Sequence, residues 1–458
     1  MTFADLNFIL RLIPIFLIIY YLIPAKARPW LLLVGSLGFY YLNEPILIAV
    51  MAIGAVFNLL FAYANSKKHS KVVLGFAIAI DVIWLVAFKA CGAFDLGREF
   101  GIAIPLGLSY FVFKLISYQV DLYKGQVDSL NVRDYLVYLF MFPQIIAGPI
   151  ARYDYLATNQ YWSKSDASRK ERLSKVLVQI EEGLKLFAIG LFMKVMLADH
   201  IAVLWNDIKT IGYESISTPL AWLGAYSYSL NLYFDFWGYS LMAAGLGIML
   251  GFDFIENFNQ PYFAASISEF YRKWHSTLGE WFRDYIYFPL GGNRKGKLRT
   301  VFNLIVVWVL TGLWHGFTPN FSIWSGALCI IIIFEKLVLS KSPKLFKVVG
   351  RINVWVLIPV TWVVFAIHSI KDLGVYLLRM FPAVDVGVAV NSNDYIYALK
   401  DYGLYLLAAL VLVFPFFTSF YRKHKSYIFV VLLIFAMFWI SIYSLANSSG
   451  NPFMYLRF

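Results

Sequence analysis

The sequence predicts an all-α, polytopic membrane protein, and three observations carry that prediction. Of its 458 residues, 60% are hydrophobic and 14% charged, with mean hydropathy +0.67, whereas a soluble domain carries about 25% charged residues. Apolar runs of about 20 residues recur along the chain, each long enough to cross the hydrocarbon as a helix. Lys and Arg gather in the short polar segments between those runs, as they do in cytoplasmic loops. Topology thus accounts for the net charge of +12, and no nucleic-acid partner is expected.

The apolar segments fall at 5–24, 30–42, 45–64, 72–91, 101–121, 134–150, 183–205, 219–252, 301–317, 321–338, 353–371, 403–420 and 427–445. The first lacks a basic leader and a small-residue cleavage site, so it reads as a retained span. Segment 134–150 contains PQIIAGPI, and such Gly/Pro-interrupted stretches make re-entrant or broken helices where protein or a cavity surrounds them. Segment 219–252 is too long for one straight span. The basic loops are Lys26/Arg28, Lys67–Lys71, Arg169–Lys175, Arg272–Arg299, Lys341–Arg351 and Arg422–Lys425. Placing all of them in the cytoplasm predicts about twelve crossings and both termini outside. The polar insert 151–182 reads as a cytoplasmic connector, and 372–402 is mixed in charge. With no internal repeat or soluble insert, residues 1–458 read as one integral-membrane domain. Cys91 and Cys329 stand alone in apolar contexts, so neither a disulfide framework nor a thiolate metal site is expected.

Residues 266–316 concentrate the chemistry. Ser266 and Glu269 have capping-box spacing, which predicts a helix from Ile267. Pro289, Gly291 and Gly292 would end it. At helical spacing Phe270, Trp274, Trp281, Tyr285 and Phe288 form one stripe, and Arg272, His275, Gly279 and Arg283 another. This predicts an amphipathic helix at a membrane face, its cationic side carrying His275. The next span sets Leu304, Trp308, Thr311 and His315 on one face, which submerges His315. A histidine at the end of an apolar span is often only a satisfied hydrogen-bonder. Asp235, an intramembrane carboxylate, is a substrate-contact candidate, with a salt link between helices as the plainer alternative. Lys114, Lys194, Asp199 and Glu335 read the same way. The run Arg272–Arg299 holds seven Lys/Arg against two acids. Arg272, Lys273, Arg283, Arg294, Lys295 and Lys297 can thus attract an anionic donor, or simply mark topology and lipid headgroups. Gly312 and Gly316 form a GxxxG, more often helix packing than chemistry.

These residues resemble a known family. RKWHSTLGEWFRDYIYFPLGGNRKG followed by a span ending GLWHG is similar to the membrane-bound O-acyltransferases, in their bacterial alginate and peptidoglycan O-acetyltransferase branch. The resemblance extends through IPLGLSYFVFKLISYQVDLYKG (104–125), FPQIIAGPIARY (142–153), GLFMKVMLAD (190–199), FDFWGYSLMAAG (234–245), GFDFIENFNQPY (251–262) and PFMYLRF (452–458). Lys114 stands where that branch has Gln, and Leu241 where its alginate-type members have Asp. The GYSL wording is closer to the branch that moves D-alanine onto teichoic acids.

The resemblance implies a helical rim around a central tunnel in the bacterial plasma membrane, with His315 as the signature histidine and His275 as the second. It implies transfer of an acetyl group from a cytoplasmic thioester such as acetyl-CoA, with no resident cofactor and no metal. The acceptor is a cell-surface polysaccharide, reached with an exported SGNH-type, esterase-like partner. D-alanyl transfer from a carrier protein is the alternative in the same class, and a transporter the alternative outside it. A transporter should show inverted halves, which the sequence lacks.

The bottom-up chemistry agrees with an acyltransferase. Passing an acyl group from a thioester to a hydroxyl needs a base for the hydroxyl proton, and imidazole, with an ordinary pKa near ~6.5, is suited to it. The carbonyl oxygen needs a hydrogen-bond donor as charge develops on it, for which Trp314, Asn303 and Thr311 are in the vicinity. There is no P-loop, HExxH pair or GxSxG elbow. His69, His200, His368 and His424 are scattered.

Overall fold

The computed structural model describes residues 2–43, 45–93, 107–127, 130–146, 148–158, 169–381 and 387–447. The PFMYLRF block, the start of the IPLG block and the middle of the 151–182 connector lie outside the described residues. The described chain is all-α and polytopic. Eight of its helical stretches are long and apolar enough to span a bilayer. Two compact units form, one from residues up to Leu191 with Tyr239–Glu256, the other from Phe192–Gly238 with Asn257–Ser444.

The first unit holds α1 (Ile13–Leu22), α2 (Arg28–Asn43), α3 (Pro45–Lys68), α4 (Lys71–Ala93), α5 (Leu108–Tyr123), α6 (Val132–Phe140), α7 (Phe142–Ile145), α8 (Tyr153–Thr158) and nearly all of α9 (Arg169–Phe192). Several of its buried polar groups pair with one another, as hydrocarbon offers them no water. Lys114 Nζ donates to the Tyr138 carbonyl at 2.8 Å and to Gln144 Oε1 at 3.0 Å. Asn58 Nδ2 donates to Asp81 Oδ1 at 2.6 Å, and Gln119 Nε2 to the Asn58 carbonyl at 2.6 Å. Gly183 and Gly245 let two backbones meet, since a Cβ on either would lie 2.5 Å from the other's carbonyl oxygen. Segment 134–150 is indeed broken, into α6 and the four residues of α7.

The second unit begins with a π-helical turn at Met193–Ala198 that leads into α10 (Asp199–Ile211). The long α11 (Thr218–Met249) starts here, followed by α12 (Ile267–Lys273), α13 (Ser276–Phe282), α14 (Lys297–His315) and α15 (Pro319–Leu337). The unit continues through α16 (Pro343–Ala366), α17 (Ile370–Arg379), α18 (Asp394–Leu412), α19 (Pro415–His424) and most of α20 (Ile428–Asn447).

Most of segment 219–252 is one helix, α11, unbroken for 32 residues and longer than a straight span needs. One detail differs from the sequence reading. The segment at 403–420 is two helices, because Pro415 cannot continue α18 and starts α19 instead.

Candidate active site

The site is built on α12 to α16, all within the second unit. The Ser266 cap forms as its spacing predicts, and the Glu269 side chain reaches one residue further back than in a regular capping box. Ser266 Oγ accepts from Glu269 N at 3.0 Å, and Glu269 Oε2 accepts from Ala265 N at 2.8 Å. A second cap is supplied from α15. The Glu335 carboxylate, fully buried, accepts from Ile267 N at 2.8 Å and from Ser268 N and Ser268 Oγ at 3.0 Å each. An intramembrane Glu thus has a structural reason, satisfying amides a helix start leaves unpaired.

The predicted single helix from Ile267 toward Pro289 is not formed. The chain leaves the helix at Trp274, places His275 in the left-handed region (φ +46°), and starts α13 at Ser276. Segment 257–259 causes the break. It pairs antiparallel with 273–276, Asn259 N donating to the Lys273 carbonyl at 3.0 Å and Ser276 N to the Asn257 carbonyl at 2.9 Å. The Asn257 side chain completes the clamp, its Oδ1 2.9 Å from His275 Nδ1 and 2.8 Å from Thr277 Oγ1. A non-glycine residue held at positive φ is costly and persists only where its surroundings enforce it.

The break also corrects the surface-helix reading. Phe270, Trp274 and Trp281 are buried, whereas Phe288, past a π-turn at Arg283–Tyr287, is exposed. His275 is 3% exposed. The Phe236 ring meets it edge-on at 4.7 Å. Burial pulls its imidazole from 6.5 down to about 3, so it is neutral at any physiological pH.

Both predicted histidines line one cavity of about 480 Å³, a volume ordinary for a small-molecule site. Arg272, His275, Gly279 and Arg283 line it from one side, and Leu304, Trp308, Thr311 and His315 from α14. Leu304 and His315 are eleven residues apart, so the cavity follows α14 for about 16 Å. His315 is half-buried and closes the helix. Its ring lies 4.5 Å from Trp314, 5.0 Å from Trp324 and from Phe365, and 6.0 Å from Phe321. Lys336, just over three turns beyond Trp324 on α15, joins Arg272 and Arg283 in the lining.

The remaining candidates are placed as follows. Lys273 is drawn aside to Glu269 at 2.8 Å, and Arg294, Lys295 and Lys297 are exposed ahead of and at the start of α14, away from the lining. Asn303 is no cavity residue. Its Nδ2 holds the Gly292 carbonyl at 2.8 Å, fixing the turn before α14. Thr311 lines the cavity, yet its one hydroxyl proton goes to the Val307 carbonyl at 2.8 Å, which leaves none for an oxyanion. Trp314 packs on His315 from outside the lining. Asp235 takes the salt-link alternative, 2.8 Å from Lys194, which also reaches Asp199 at 2.7 Å.

Sequence reasoning missed Asn257, Lys336, Trp324, Phe365 and Glu335's partner. Asn257 is 3% exposed, and nothing in the mixed polar and apolar run GFDFIENFNQPY marks it for burial. The others join the site only by packing.

Residues 18–377 match the membrane-bound O-acyltransferase family. The probable alginate O-acetylase AlgI of Pseudomonas putida is 31% identical over 100% of both chains. The peptidoglycan O-acetyltransferase of Helicobacter pylori is 29% identical over 80% of this chain and 77% of its own. The teichoic acid D-alanyltransferase of Bacillus subtilis is 29% identical over 48% of this chain and 55% of its own. The chain belongs to the membrane-bound O-acyltransferase family and is an O-acyltransferase.

Proposed function

We propose that the protein moves an acetyl group from a cytoplasmic thioester through its cavity for O-acetylation of a cell-surface polysaccharide. The observation that carries this reading is the pairing of two histidines with Arg272, Arg283 and Lys336 around one elongated cavity. In this reading the basic groups hold the anionic part of the donor, and the thioester reaches toward His315. His315 takes the proton of the acceptor hydroxyl as the new carbon–oxygen bond forms, and the carbon–sulfur bond breaks to release the thiol, which recovers that proton. No resident cofactor or metal enters; acetyl-CoA or another acyl thioester is substrate. The hydroxyl belongs to the polysaccharide or to an exported esterase-like protein that completes the transfer. Relatives named for O-acetylation match along most of this chain, whereas the D-alanyltransferase matches about half of it, and that supports acetyl as cargo.

The test is His315→Ala in reconstituted membranes with labelled acetyl and D-alanyl donors. Losing a general base typically costs ~10²–10⁴ in rate, so acetyl transfer should fall by that factor while the protein still inserts. Near-normal transfer would remove His315 from the mechanism. Transfer of D-alanine alone by the unaltered protein would make the cargo D-alanyl.

A further inference from the structure

α14, α15 and α16 are successive spans, each long and apolar enough to cross a bilayer, and short connections join them. Helices joined so closely run antiparallel. The end of α14 at His315, the start of α15 at Pro319 and the end of α16 at Ala366 therefore share one membrane face. Lys336, near the end of α15, lies toward the other. The cavity lined by both Lys336 and His315 thus begins toward one face and stops short of the other.

Phe321 occupies the ground between the His315 end of the cavity and the nearby face. Its ring is 6.0 Å from that of His315, 4.9 Å from Phe365 and 5.7 Å from His368. His315 and Phe365 line the cavity. His368, just past the end of α16, is exposed, whereas Phe321 is 4% exposed. Gly316 leaves room for the ring, because a Cβ there would lie 2.7 Å from its edge. Asn320, fully buried, fixes the backbone beside it. Its Nδ2 donates to the Phe365 carbonyl at 2.9 Å, one of the last four of α16, which a helix leaves without an amide partner. Its Oδ1 accepts from Thr318 Oγ1 at 2.6 Å. Passage past the ring then depends on its own side-chain torsions rather than on backbone movement.

We infer that Phe321 is the barrier between the His315 end of the cavity and the membrane face carrying His368, and that the acceptor hydroxyl enters past its ring. In the acyl-transfer reading the donor's anionic part lies with the basic residues, Lys336 among them. The thioester then approaches His315 along the cavity, and the Phe321 side is left to the acceptor. An apolar ring there keeps bulk water from the acyl carbon. Water that passed it would waste the donor: its oxygen bonds to the acyl carbon, the carbon–sulfur bond breaks, and a proton passes to the released thiol. The barrier stands on geometry, and what crosses it rests on the acyl-transfer reading.

The barrier is testable without any activity. Full-length protein lacking Cys91 and Cys329 is treated, in intact cells and in inverted vesicles, with a small membrane-impermeant methanethiosulfonate. His368→Cys identifies its own face by labelling from one side. From that side Thr311→Cys, in the cavity lining, should label slowly, and several-fold faster once Phe321→Ala removes the ring. Equal rates with and without the ring overturn the barrier, whether both are fast or both are nil. Phe321→Leu, which fills more of the space, takes the place of Phe321→Ala if that variant fails to fold, with the same outcomes and a smaller rise.

Two activity measurements test the role. Thioester hydrolysis without acceptor should rise several-fold in Phe321→Ala, and unchanged hydrolysis overturns the exclusion of water. His368→Cys carrying a bulky maleimide should lose most of its acyl transfer with donor KM unchanged, and full transfer overturns the entry route. Failure of the acyl-transfer reading itself is seen separately, in an active His315→Ala, and leaves the labelling result standing.

Discussion

Replacing Glu335 by Leu isolates one tertiary contact that the candidate site depends on. The carboxylate on α15 caps the amides of Ile267 and Ser268, and Ser266 caps that of Glu269, so the first three amides of α12 have acceptors. Leu in this position leaves two buried backbone N–H groups with no acceptor, and each costs about 1–3 kcal/mol. Loss of the charge at a helix N-terminus adds roughly 0.3–1 kcal/mol. The sum is about 2–7 kcal/mol, large against the few kcal/mol that keep a domain folded. Glu335→Gln, retaining one acceptor oxygen, should cost about half as much. Thermal unfolding followed by tryptophan fluorescence in detergent reads the loss as a lowered Tm. Acyl transfer measured beside it should fall in step, because Arg272 and His275 sit at the far end of α12. If Glu335→Leu melts with the unaltered protein and works as well, the capping argument is wrong.

Three further outcomes are expected. Single cysteines at Asn293 and Asn447, in a background without Cys91 and Cys329, should label from opposite membrane faces. Labelling from one face would refute the orientation with both termini outside. The triple variant Arg294→Ala, Lys295→Ala, Lys297→Ala should raise the apparent donor KM and weaken its salt dependence with kcat little changed, because exposed charges contribute only ~0.2–1 kcal/mol each. A donor titration at low and high salt checks it, and unaltered kinetics would leave these charges as topology signals. For pH, the His275 imidazole stays neutral to about 3 when folded, against 6.5 without burial. The unfolded chain therefore binds that proton first, and the stability tied to neutral His275 is complete above about pH 6.5 and lost as pH falls toward 3. Tm measured across that window should fall more steeply than in His275→Gln; parallel curves would show that His275 is not the group responsible.

Much of the site is written locally. Hydropathy alone separates the apolar segments, because each helix buries or exposes its face independently of the rest. The Ser266–Glu269 cap and the stripe Leu304, Trp308, Thr311, His315 are contacts among residues three or four apart, and both appear as their spacing predicts. His275 and His315 could be named from the chain because a histidine beside arginines or at the end of an apolar span is conspicuous. What they do relative to each other could not. The helix break at His275 depends on Asn257 and Asn259, 18 and 16 positions away in the chain. The α12 cap comes from Glu335, 68 residues on. Asp235 is turned from substrate contact to an ion pair by Lys194 on another helix. Helical periodicity reports which residues share a face of one helix and carries no term for what packs against that face. Hence composition and spacing determined the fold class and the candidate residues. Only tertiary packing decided that His275 leaves its helix, that Asn303 and Asp235 serve structure, and that Lys336 and Trp324 join the cavity, because each of those is a contact between distant segments.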